Sequence, residues 1–336
     1  MSSSQALVHA VPTNVITGFL GVGKTSTILH LLNNKPGNER WAVLVNEFGE
    51  IGIDGSLLEG RCGENQGVVI REVPGGCMCC AAGLPMQVAL NQLLVKAKPD
   101  RLLIEPTGLG HPKEVLNVLL SVNYRESLSL QKTLTLLDAR NLSDSRYTSH
   151  ETFNQQIAVA DTVIGNKLDL YEDGDQEKLI AYVKKIGKAE VKVIFSQQGE
   201  LALSELEGNS KEVVLDSSGH HMHEHQSRPL ATDIDIPESG YLKAINDGEG
   251  FYSMGWRFSP DKVFDHQKLY LFLSGLQLER LKAVFITDKG LFGYNLTLDT
   301  LTEIKLDDCL ESRIEMISDK PIEVLEPPLL ACIADS

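Results

Sequence analysis

A chain of 336 residues, 42% hydrophobic and 23% charged, has the balance of an ordinary globular protein and the length for two domains. Its 46 acidic residues outnumber 31 basic ones, and no basic cluster relieves the formal charge of −15. That balance argues against nucleic acid and anionic membrane surfaces as partners and favours cations.

The chain opens with Met1-Ser-Ser-Ser-Gln-Ala, which lacks the basic start and apolar run of a signal peptide. No later segment approaches the roughly 18 uninterrupted apolar residues of a membrane span. Asn14 to Thr17 reads as a short buried strand and Ser26 to Leu32 as a helix that stops at Lys35-Pro-Gly37. Further strands are expected at 41–45, 68–70, 101–104, 133–137, 162–164 and 191–195, with helices at 85–96, 113–120 and 175–186. Near-continuous apolar strands separated by helices predict an α/β fold of the phosphate-loop type, with a mostly parallel sheet covered on both faces. Ligands on such sheets sit at the C-terminal strand ends. From Glu207 the character changes, and Ser217 to Ser227 is polar, small and histidine-rich, as a mobile linker would be. Beyond it, strands at 251–258, 281–286 and 290–294 and a helix at 261–276 predict a smaller C-terminal α+β domain. The expected division is 1–206, a linker over 207–240, and 241–336.

Gly18-Phe-Leu-Gly-Val-Gly-Lys-Thr25 spells a complete phosphate-binding loop between the first strand and helix. Gly18, Gly21 and Gly23 permit backbone angles and close approach that a side chain forbids. The loop amides, Val22 and Ser26 among them, would cradle the anion at the positive end of the helix. Lys24 would meet the β/γ-phosphates and the Thr25 hydroxyl would hold Mg²⁺. Leu102-Leu-Ile-Glu-Pro-Thr-Gly108 is an apolar strand ending in an acid and a glycine turn. Glu105 there would organise Mg²⁺ or its bound water, and the Gly108 amide can meet the γ-phosphate. The catalytic work thus falls to Lys24, Thr25 and Glu105. Asn166-Lys-Leu-Asp169 follows a strand, where a guanine-specificity loop belongs. The Asp169 carboxylate accepts from guanine N1–H and the 2-amino group together, a donor pair that adenine lacks. Asn166 would buttress the loop and the Lys167 stem would lie along the base. GTP and GDP are therefore the expected nucleotides.

Gly75-Gly-Cys-Met-Cys-Cys80 gathers three of the six cysteines, a pattern that suits a metal or redox site in a reducing cytoplasm better than a disulfide framework. In an extended stretch Cys77 and Cys79 share a face while Cys80 points away. Thiolates suit Zn²⁺ and similar ions, and three sulfurs leave a tetrahedral site one ligand short. His220, His221, His223 and His225 offer a weak second metal site, or simply a solvated linker. His30, His111, His150 and His266 are isolated. His111 follows the Glu105 turn and is the one placed to approach the phosphates or metal.

This set of motifs, in this order, resembles the CobW-type GTPases, a metallochaperone family related to UreG and HypB. The resemblance covers nearly the whole chain and is carried above all by the Gly-Gly-Cys-x-Cys-Cys element. It implies slow GTP hydrolysis coupled to binding of Zn²⁺, or Co²⁺, and delivery to a client metalloprotein selected by the C-terminal domain. Nucleotide-dependent self-association is a further expectation. Asn46 to Glu50 is similar to the family's first switch region, and Glu50 would lend the metal a carboxylate. Two departures stand out: Val45 occupies a place where some members carry an acid, and Ile164-Gly165 precedes the guanine loop in place of an aliphatic pair. Other readings are an activator that remodels a metalloenzyme without carrying metal, and a nucleotide-gated binding module that scarcely hydrolyses.

Overall fold

The computed structural model describes residues 10–45, 67–73, 84–210, 236–248, 251–297, 300–306, 309–320 and 325–334. The described chain falls into two compact units.

In the first, strands β1 (Val11–Gly18), β2 (Trp41–Val45), β3 (Val68–Glu72), β4 (Arg101–Glu105), β5 (Leu128–Leu130), β6 (Leu134–Leu137), β7 (Thr162–Gly165) and β8 (Lys192–Phe195) form one sheet. Its order is β3-β2-β4-β1-β6-β7-β8, with β5 also paired to β1, and every pairing is parallel. All five residues of β2 and of β4 are buried, because helices cover both faces and leave the strands no polar side. The helices are α1 (Lys24–Asn34), α2 (Leu84–Ala97), α3 (Pro112–Leu119), α4 (Ser145–Thr148), α5 (Glu151–Val159) and α6 (Asp175–Ile186). Helix α1 ends where Lys35 turns extended, as a residue before proline must. Helix α6 carries Asp175 and Glu177 in its first turn and Lys184 and Lys185 in its last, so charge complements the helix dipole at both ends. Strand β1 is central, with β2 to β4 on one side and β6 to β8 on the other. The direction in which successive strands are added reverses there, which opens a crevice at its C-terminal end where the phosphate loop lies.

The second unit is an antiparallel sheet of order β13-β12-β11-β14-β10-β9. Its strands are β9 (Tyr241–Gly248), β10 (Phe251–Phe258), β11 (Arg280–Thr287), β12 (Gly290–Thr297), β13 (Leu301–Lys305) and β14 (Ser312–Ser318). One face packs against α7 (His266–Ser274) and α8 (Glu326–Leu330) around Trp256, Phe258, Phe264, Phe285 and Tyr294. Among the described residues no helix is long and apolar enough to cross a membrane.

The α/β layout and the separate C-terminal sheet agree with the sequence, but several boundaries move. The helix expected over 261–276 runs only His266–Ser274, because the Asp265 carboxylate accepts from Lys268 N and caps it there. Before that cap Phe264 bridges to Thr287 and Ile333 instead of winding into the helix. Strand β14 escaped notice because its polar residues point into ion pairs and hydrogen bonds. Glu315 lies buried against the Ser253 hydroxyl at 3.0 Å, and Glu311, just before the strand, accepts from Arg257 Nε at 2.6 Å and Arg313 Nε at 2.8 Å. Helix α5 was missed because its polar side chains are recruited by neighbours and blur the apolar stripe.

Burial pushes the Glu311 carboxyl up, but Arg257 and Arg313 outweigh it and hold the group below the usual carboxylate range. Its contribution is therefore full at neutral pH and is lost as the pH falls through that lowered range. Glu311→Gln should cost about 2–3 kcal/mol at pH 7, read by denaturant unfolding. The gap from the natural protein should close progressively below about pH 4.

Candidate functional site

The phosphate loop leaves β1 with Gly18, Gly21 and Gly23 at φ of 144°, 69° and 98°, all in the positive range that the sequence reading required. Its hydrophobic members turn inward. Phe19 is buried with its ring 5.3 Å from Tyr147, 4.9 Å from His150 and 5.8 Å from Phe153, each edge-on. The loop is thereby fixed to α4 and α5 as well as to the strand. Lys24 is 5% exposed, and its Nζ donates to the Gly18 carbonyl at 2.9 Å and the Phe19 carbonyl at 3.1 Å. The ammonium is thus folded back over the mouth of the loop, where a triphosphate's β/γ oxygens belong.

Thr25 Oγ1 donates to Glu105 Oε1 at 3.2 Å. Glu105 is 2% exposed, so its carboxylate is held inside the site and away from bulk solvent. A hydroxyl and a carboxylate brought together beside the phosphate loop are the oxygen donors a hard divalent cation prefers, and these residues fit Mg²⁺. Gly108 lies on the other flank: a Cβ there would stand 3.1 Å from Lys24 Nζ and 2.9 Å from Leu20. His111, the histidine expected nearest the phosphates, has its Nδ1 3.0 Å from Gln155 Oε1.

At the base end Asn166 is 2% exposed and makes two contacts that span the site. Its Nδ2 donates to the Val22 carbonyl at 2.8 Å, and its Oδ1 accepts from Gly199 N at 3.2 Å. Lys167 takes a left-handed conformation, φ 61°, and its Nζ lies 3.6 Å from Asp138 Oδ2. Asp169 is exposed on the 3-10 turn Leu168–Leu170. The Gly165 departure has a packing cause. A Cβ there would lie 2.6 Å from the Phe195 ring and 3.2 Å from Tyr171 Oη, so the usual aliphatic residue has no room. Burial pushes the Tyr171 phenol up, and its oxygen accepts from Ala139 N at 3.0 Å.

The turn Ser196 to Gly199 is a part of the site that sequence reasoning missed. Leu168 N donates to the Ser196 carbonyl at 3.0 Å, and a Cβ on Gly199 would lie 2.8 Å from Thr27 N. The turn therefore touches both the base loop and the first turn of α1. Its signal was a small residue and a glycine directly after the last parallel strand.

Glu50, Cys77, Cys79, Cys80, His220, His221, His223 and His225 lie outside the described residues. Among those described there is no group of three or more His, Cys, Asp or Glu arranged to hold a metal. The described cysteines are Cys309 and Cys332, neither of them in a disulfide, and burial pushes the Cys332 thiol up, away from thiolate chemistry.

The loop, the acid at the end of β4 and the polar turn after β7 meet at one sheet edge, and together they define a phosphate-loop nucleotide-binding protein. Residues 12–194 match the family described as CobW/HypB/UreG, nucleotide-binding domain. The chain is 42% identical over 310 residues to the zinc chaperone YeiR of Escherichia coli (strain K12), covering 91% of this chain and 92% of that one. It is 31% identical over 276 residues to the zinc chaperone CobW of Pseudomonas aeruginosa, covering 70% and 73% respectively. It is also 34% identical over 163 residues to the zinc-regulated GTPase metalloprotein activator 1 of Schizosaccharomyces pombe, covering 48% and 39%. The chain belongs to the CobW/HypB/UreG family.

Asn166→Ala leaves the Val22 carbonyl and the Gly199 amide without their partner. It should lower stability by about 2–3 kcal/mol in denaturant titration without nucleotide.

Proposed function

We propose that the protein is a GTP-hydrolysing metallochaperone that binds Zn²⁺, or Co²⁺, through Cys77, Cys79 and Cys80 and delivers it to a client metalloprotein. The observation that carries the nucleotide half is the Asn166 amide, which ties the phosphate loop to the base loop across 144 residues of sequence. Two relatives spanning most of the chain are named zinc chaperones, and a third is named a zinc-regulated GTPase metalloprotein activator, which supports the metal half.

Lys24 and the loop amides meet the charge that grows on the β/γ bridge as the phosphoryl group transfers. Thr25 and Glu105 would hold Mg²⁺, which when bound would share that neutralisation. Gly108 presents its amide to the γ-phosphate, and Asp169 selects guanine. Turnover is slow, because no motif supplies a glutamine to orient water or an arginine to stabilise the transferring group. Residues 1–206 carry this chemistry in a cytoplasmic protein, and 241–336 select the client. The histidines of 207–240 add a weak second metal site. The segment from Asn46 to Cys80 joins the switch to the thiols in sequence, so loss of the γ-phosphate loosens the metal site. Self-association follows the nucleotide state.

Lys24→Ala should abolish phosphate release from GTP. Asp169→Asn should weaken GTP binding at least tenfold and admit xanthosine triphosphate, whose 2-oxo group accepts from an amide. Equal affinity of the natural protein for ATP and GTP would sink the guanine assignment.

Cys77→Ser and Cys79→Ser should each remove stoichiometric Zn²⁺ binding, with Cys80→Ser milder, in competition titrations run with GDP and with a non-hydrolysable GTP analogue. Thiolates must form before they bind, so affinity should weaken as the pH falls. Zinc retained at full stoichiometry by the triple variant would move the site elsewhere.

A further inference from the structure

Helix α5 contributes no residue to any nucleotide motif, yet it reaches the phosphate end of the site from behind. Phe153 on this helix packs against Phe19 of the phosphate loop. Three residues on, Gln156 is wholly buried, and its Nε2 donates to the Gly108 carbonyl at 3.0 Å. The adjacent Gln155 meets His111, at the far end of the same turn. Gln156 has little freedom of its own. Its backbone carbonyl accepts from the Thr135 hydroxyl on β6 at 2.7 Å, and Phe153, Ile157 and Val159 around it are 0% exposed. Its Oε1 is buried with no hydrogen-bond partner among the described residues. A buried amide that leaves its acceptor unmatched costs free energy, so its single strong bond to Gly108 is made at the expense of stability.

We propose that Gln156 is a positioning residue for the γ-phosphate, acting through Gly108. A peptide is planar, so fixing the Gly108 carbonyl fixes the plane of the bond that follows and restricts the turn from Thr107 to Leu109. Gly108 also packs close to Lys24, since a Cβ there would stand 3.1 Å from Nζ. Gln156 thus holds the glycine turn in place beside the phosphate lysine; Lys24 also meets the β-phosphate that GDP shares, whereas the Gly108 turn faces only the third phosphate. The inference rests on the nucleotide site proposed above.

The test compares GDP with a non-hydrolysable GTP analogue, both with Mg²⁺, on the full chain and on Gln156→Met, which keeps volume and removes the donor. The expected result is GDP affinity within about twofold of the natural protein and analogue affinity lower by roughly fivefold to tenfold, the worth of one net hydrogen bond. GTP turnover should show a lower kcat together with a higher KM, the pattern of a misplaced γ-phosphate group. Equal loss of both nucleotides, or no loss of either, overturns the proposal and leaves Gln156 a packing residue. Where Gln156→Met does not fold, Gln156→Leu carries the same comparison, because it too removes the donor and stays close to the natural volume. Natural protein that prefers adenine nucleotides would end the guanine assignment only, and the same comparison with ADP and an ATP analogue would then decide Gln156. Natural protein that binds no nucleotide would end the site reading and this inference with it.

Discussion

The buried amide of Asn166 is the contact on which the rest of the site depends. It uses both ends: the nitrogen holds the phosphate loop at Val22 and the oxygen holds the Ser196 to Gly199 turn at Gly199. Phosphate recognition and base recognition are separate problems in chemistry, one of charge and one of donor pattern. They become one site only if their distance is fixed to a fraction of an ångström. A two-ended amide with no solvent access does this better than a flexible ion pair, because hydrogen bonds in a buried setting are directional and strong.

The two ends of the parallel sheet spend their polar residues differently. At the N-terminal edge Arg101 donates to Asn14 Oδ1 at 2.8 Å and pairs with Glu207, while its guanidinium lies over the Trp41 ring. Asp161 nearby accepts from Thr133 N, Ser210 Oγ and Lys188 Nζ. These charges are closed off among themselves and hold the last residues of the unit against the sheet. At the C-terminal edge Lys24 donates to the Gly18 and Phe19 carbonyls, and Glu105 accepts from the Thr25 hydroxyl, so charge gathers beside the phosphate loop.

The aromatic contacts of Phe19 extend the same logic to the loop itself. A glycine-rich loop has high conformational entropy to lose, and ordering it costs on the order of 1–2 kcal/mol per residue. Burying one large ring among Tyr147, His150 and Phe153 offsets part of that before any ligand arrives.

The sequence by itself picked out the residues that the structure brings to one end of the parallel sheet. Gly18 to Thr25, Glu105 with Gly108, and Asn166 to Asp169 were all legible, because each motif is a set of particular residue types at short, fixed spacings. The strands were legible too, since burial on both faces leaves an unbroken apolar run. What only the tertiary structure decided were the contacts made across long separations by residues of no distinctive type. Gln156 reads as an unremarkable amide on a short helix, and the Ser196 to Gly199 turn as an ordinary loop. Gly165 looks like a departure from pattern until the Phe195 ring is seen over it. Local spacing reports what a ligand requires of neighbouring residues, whereas packing pairs residues whose positions along the chain carry no record of each other.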